Sequence, residues 1–175
     1  MCQDRDVKIF DAGSSYKKPE QNFPEVKLSK EDLMKAKTAG ERVAKSFIEA
    51  VSSTSDDEAN DFELLHQRRL LLSFTANIGF ERFISNEALS ERAKRSFLNS
   101  LKAEQKDIYE TAVDTGAFSF YYLAYRRANE VERRMGQTFA MLCSHDGDPI
   151  FQELGEAIYC WFSSETENII KEIFE

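Results

Sequence analysis

At 175 residues, with 42% hydrophobic and 31% charged side chains, the chain has the makeup of one ordinary globular domain. Its net charge of −8 repels phosphate backbones and argues against nucleic-acid binding, since the basic clusters Arg92, Lys94, Arg95 and Arg126, Arg127, Arg133, Arg134 are small. The start MCQDRDVKIF mixes both charges, so no secretory leader is expected, and the apolar runs FYYLAY and YCWF fall far short of the roughly 20 residues that span a membrane.

Residues 1–28 hold Pro19, Pro24 and Gly13-Ser14-Ser15 and show no sustained helical period. Val7, Ile9, Phe10, Tyr16, Phe23 and Val26 make the segment too apolar for a pure linker. It is expected to be an extended arm or tail, either laid across the domain or ordering on a partner. Residues 29–175 form the expected helical domain. Ser29 and Asp32 open it with a capping-box arrangement. Leu33, Ala36, Gly40, Ala44, Phe47 and Val51 then recur at three- and four-residue steps on one narrow face, where Gly40 implies close approach by a neighbouring helix.

SSTSDDEAND at 52–61 reads as an acidic loop, and Asn60 with Glu63 as a second capping box. The helix expected over 62–84 is apolar around more than half its circumference, which makes it central. Leu89, Ala93, Phe97, Leu101, Ile108 and Ala112 continue the period, in one helix or in two with a kink near Glu104-Gln105-Lys106. Gly116 is suited to a left-handed cap at the end of that segment.

One long helix is expected over 117–143. Phe120, Ala124, Ala128, Val131, Met135, Phe139 and Leu142 form its stripe toward the core, and Phe118, Tyr121, Tyr122 and Tyr125 fall on the flanks. Arg126–Glu130 and Glu130–Arg134 stand at i, i+4 and partly neutralise the arginines. After the turn at 144–148, Pro149 starts the last helix behind an Asp cap; Phe151, Leu154, Ile158, Trp161 or Phe162, Ile169 and Ile173 mark its buried face. Two helices joined by so short a turn lie antiparallel. The expected class is therefore all-α: a single bundle of five or six helices with an extended N-terminal arm and a C-terminal antiparallel helical hairpin.

Motifs for chemistry are sparse. Glu63-Leu-Leu-His66 has the Glu-x-x-His spacing of carboxylate-bridged metal sites, but the only other histidine, His145, has Leu142 where a second glutamate would stand. Glu63 and His66 remain a weak pair; neither metal nor cofactor is expected. Cys143, His145 and Cys160 cannot converge on zinc, because Cys160 lies about 16 Å along the last helix from the turn. Cys143 and Cys160 are expected as small core residues. Three unevenly spaced cysteines fit a reducing compartment, so the expected location is the cytoplasm. No nucleophile elbow, phosphate-binding loop or dinucleotide fingerprint occurs, and enzymatic activity has little material to work with.

The aromatic end near 117–125 carries what functional signal there is. Tyr and Arg are enriched where partners bind, so Phe118, Tyr121, Tyr122, Tyr125 and Arg126 are the contact candidates. The expected function is a non-enzymatic binding or protein-interaction module that self-associates there as a homo-oligomer. The alternative is a small-molecule-sensing helical domain, the effector part of a regulatory system, with the tyrosines lining a cavity between helices.

Overall fold

The computed structural model describes residues 28–52, 62–113, 115–127 and 129–175. They form seven α-helices and no strand: α1 (Lys30–Ser52), α2 (Phe62–Phe83), α3 (Glu87–Glu104), α4 (Lys106–Ala112), α5 (Thr115–Arg126), α6 (Val131–Leu142) and α7 (Pro149–Phe174). The all-α bundle expected from periodicity is what the chain forms. The readings on the arm at 1–27, the loop at 53–61 and the cap at Asn60 lie outside the described residues.

Ser29 and Asp32 open α1 as a reciprocal cap. The Ser29 hydroxyl accepts from the Asp32 amide at 2.9 Å, and the Asp32 carboxylate accepts from the Ser29 hydroxyl at 2.7 Å. Leu28, assigned by sequence to the arm, packs against the core. Along α1, Ala36, Gly40, Ala44, Phe47 and Val51 are buried as the spacing predicts, whereas Leu33 sits at the rim. Gly40 meets α3 so closely that a Cβ there would strike Ser96 and the Ala93 carbonyl oxygen. Only a glycine permits this approach.

α2 is the central helix, with Leu70 through Ala76 all buried. Phe80 from α2, Phe47 from α1 and Phe162 from α7 surround the core between them. The Phe47 ring lies 5.6 Å from Phe97 and 6.1 Å from Phe162, both edge-on. At the last helix the alternative between Trp161 and Phe162 resolves to Phe162, which is wholly buried, while Trp161 is half exposed.

The segment after Asn86 is two helices. Asn86 caps α3 through bonds to the Ala88 and Leu89 amides; Gln105 is extended, and α4 restarts at Lys106. The C-terminal hairpin forms as expected, with Asp148 accepting from the Ile150 amide at 2.9 Å and Pro149 in the first turn of α7. The two helices approach closely at Gly136, where a Cβ would strike the Gln152 carbonyl oxygen. Between bundle rims, Arg42 and Glu172 pair at 2.6 Å, but both are exposed and such a pair contributes only about 0–1 kcal/mol.

The long helix of 117–143 is not continuous. α5 ends at Arg126, Glu130 takes a left-handed conformation (φ 54°, ψ 46°), and α6 begins at Val131. This break raises the helix number above the expected five or six. It also removes the i, i+4 pairs of Glu130: Arg133 pairs with Glu130 at 3.6 Å, and Arg134 Nε donates to the Asn129 carbonyl at 2.8 Å. Gly116 is helical, in the first turn of α5, and not a left-handed cap. Cys143 is buried as expected, but Cys160 is exposed because it lies on the outer side of α7, opposite Ile158 and Phe162.

Candidate functional site around α5

Phe74, wholly buried on α2, organises the aromatic end. Its ring centroid lies 5.8 Å from Phe118, 5.5 Å from Tyr121, 5.2 Å from Tyr122 and 6.4 Å from Tyr125. Edge-on and tilted contacts of this kind each add about 0.5–1.5 kcal/mol beyond burial. One phenylalanine on the central helix therefore chooses which face of α5 turns inward. That face is Phe118, Tyr121 and Ala124, all buried, with Tyr125 half-buried beside them.

The sequence stripe is therefore right at Ala124, which is buried, and wrong at Phe120. Phe120 is 49% exposed and Leu123 is 61% exposed. Gly116, Phe120 and Leu123 follow one another at steps of four and three and share one face of α5 turned away from Tyr121, with Arg127 in the turn just past its end. All four are exposed. Further along, Met135 and Phe139 do reach the core, while Val131 and Leu142 are half-buried at its edge.

Among the five contact candidates, Phe118 and Tyr121 are thus interior. The Tyr121 hydroxyl is buried with no hydrogen-bond partner among the described residues, and burial, reinforced by Cys143, pushes its ionisation well above the ordinary range. Tyr122 lies at the edge, 36% exposed, its ring against Phe74 and its hydroxyl pushed up by burial and then by Glu81. Glu81 in turn belongs to a triad with Lys94, whose ammonium donates to Glu81 at 2.7 Å and Glu91 at 2.8 Å. Burial pulls the Lys94 ammonium down, but these two carboxylates outweigh it and raise the group overall. Arg126 is exposed, and neither it nor Arg127 forms an ion pair among the described residues.

Tyr125 faces a different neighbourhood. With Arg82, Glu130, Val131, Glu132 and Tyr159 it lines a cleft of about 400 Å³ where α2, α7 and the break between α5 and α6 meet. The sequence reading placed Val131 on the core stripe and Glu130 in helix pairs, and it singled out none of Arg82, Glu132 and Tyr159. Arg82, Glu130 and Tyr159 are far apart in the chain.

The weak metal pair separates into two settings. Glu63 accepts from the Ser144 hydroxyl at 3.2 Å, at the α6–α7 turn. His66 stacks near Phe62 and lines a second cleft with Arg69, Asp107 and Glu110. His145 stacks on Phe151 at 3.7 Å. Among the described residues no three His, Cys, Asp or Glu side chains are placed to hold one metal ion, and no helix is long and apolar enough to cross a membrane. No family model, curated protein or solved structure matches the chain.

Proposed function

We propose that the chain is a non-enzymatic binding module that associates reversibly with a second copy of itself through the outer face of α5. The observation that carries this reading is the exposure of Phe120 and Leu123 on one stripe whose other face is already committed to Phe74. A helix apolar on both sides has a second surface to cover.

The spacing favours a copy of the chain as the occupant. Under a two-fold axis an antiparallel α5 pair matches each stripe residue with one whose number makes the same sum, so Phe120 meets the partner's Leu123 and Gly116 meets the partner's Arg127. Gly116 leaves room for the arginine stem to lie across the helix. Phe120 and Leu123 each expose roughly 100 Å² of apolar surface, so four side chains supply about 10 kcal/mol at 25 cal/mol per Å². Association at the low end of its usual cost takes about 4–6 kcal/mol, and the balance of about 4–6 kcal/mol is a weak dimer with Kd on the order of 0.04–1 mM. The cytoplasm is the compartment we propose, supported by three cysteines too unevenly spaced for a disulfide framework.

Leu123→Glu tests the surface. The side chain is mostly exposed, so the melting temperature should hold while light scattering at high concentration loses any mass above the monomer. Association that survives this substitution would sink the α5 reading.

A further inference from the structure

A separate observation concerns the cleft lined by Arg82, Tyr125, Glu130, Val131, Glu132 and Tyr159. Its charges are two carboxylates and one guanidinium. Glu130 is engaged by Arg133 at 3.6 Å, while Glu132 and Arg82 form no ion pair among the described residues. The Arg82 guanidinium also lies 5.2 Å from the centroid of the Phe83 ring, so one carboxylate and one guanidinium without an ion-pair partner among the described residues line a single cleft.

Two further features favour a ligand there. Tyr159 is only 4% exposed, yet it lines the cleft and its hydroxyl has no hydrogen-bond partner among the described residues. Burial pushes that hydroxyl up to about 12, with Tyr125 adding to the rise, so it stays protonated and able to donate. At the break, Glu130 stands at the cap position of α6 without any side-chain bond to the helix amides. The first amides of α6 thus keep their donors, at the positive end of the helix dipole.

A simple anion such as phosphate would meet Glu132, and a simple cation would meet Arg82. A ligand carrying both charges satisfies both. We propose that this cleft binds a free amino acid, its carboxylate on Arg82 and the α6 amides and its ammonium on Glu132, with the Tyr125 and Tyr159 hydroxyls between them. The cleft shares no residue with the outer stripe of α5, so it stands or falls independently of self-association.

The test is calorimetric titration of the full chain with each common free L-amino acid, with acetate and methylamine as single-charge controls. Binding is expected from at least one amino acid and from neither control. Arg82→Gln and Glu132→Gln, both at exposed positions, should each weaken that binding about ten-fold or more with the melting temperature preserved. Tyr159→Phe, which keeps the ring and deletes the hydroxyl, should weaken it as well. The proposal is overturned if no amino acid binds at concentrations up to about 10 mM, a limit weaker than ordinary metabolite affinities. It is equally overturned if either control binds as tightly, or if affinity survives any one of the three substitutions.

Discussion

Replacing Tyr121 by Phe should stabilise this protein, although it deletes a polar group from the aromatic end. The ring is wholly buried, 5.5 Å from Phe74, and its hydroxyl has no partner among the described residues. A buried donor left unsatisfied costs about 1–3 kcal/mol, because it gives up water and gains nothing. Phenylalanine keeps the ring contacts and removes that cost, so the expected gain is about 1 kcal/mol or more. For a chain of this size that is a rise of roughly 2–4 °C in melting temperature. Urea denaturation followed by far-ultraviolet circular dichroism gives the free energy, and an unchanged slope shows that the unfolded state is the same. Tyr121→Ala is the counterpart: it loses the ring and should cost about 3–5 kcal/mol. If Tyr121→Phe instead destabilises by about 1 kcal/mol or more, the hydroxyl is bonded and the account of the inner face of α5 is refuted.

Three further outcomes follow from the same geometry. Tyr122→Ala should cost about 1–2 kcal/mol, less than a full core aromatic, since the ring is 36% exposed while touching Phe74; urea midpoints decide it. Gly136→Ala should cost about 1–3 kcal/mol by forcing α6 from the Gln152 backbone, and a loss below about 0.5 kcal/mol would mean that the hairpin yields easily. Stability should also fall in alkali. Burial raises the Tyr121 and Tyr159 hydroxyls above their unfolded value of 10, so the unfolded chain gives up these protons first. Their contribution is complete below pH 10 and declines above it, for Tyr159 between pH 10 and about 12. A Tyr121→Phe, Tyr159→Phe double variant should show a shallower decline, measured by urea unfolding at several alkaline pH values.

Much of the bundle was legible because its signals are local. The Ser29–Asp32 cap and the Asp148-Pro149 start each depend on residues within a few positions of one another, whereas Gly40 announced a close approach but not its partner in α3, and the division at Gln105 stayed open between one helix and two. The break after Arg126 had no such mark. RRANE contains neither glycine nor proline, and the left-handed residue is a glutamate. Side-chain size then drew the stripe through Phe120, whereas the inward face is selected by Phe74, more than 40 residues earlier in the chain. Gly136 passed unremarked because it carries no hydrophobic weight, yet a Cβ there would strike the Gln152 carbonyl oxygen of α7. The cleft was invisible because Arg82, Glu132 and Tyr159 come from three helices, and no spacing along the sequence relates them. The tyrosine cluster was legible as a region. Its division into an interior half and an outer stripe was set by a distant partner.

Sedimentation equilibrium of the unaltered chain, from about 10 μM to about 1 mM, tests the central claim most directly, because the calculated affinity falls inside that range. The account predicts a weight-average mass that starts at the 20.2 kDa monomer and climbs toward twice that value as concentration rises. A mass that stays at 20.2 kDa throughout would contradict it.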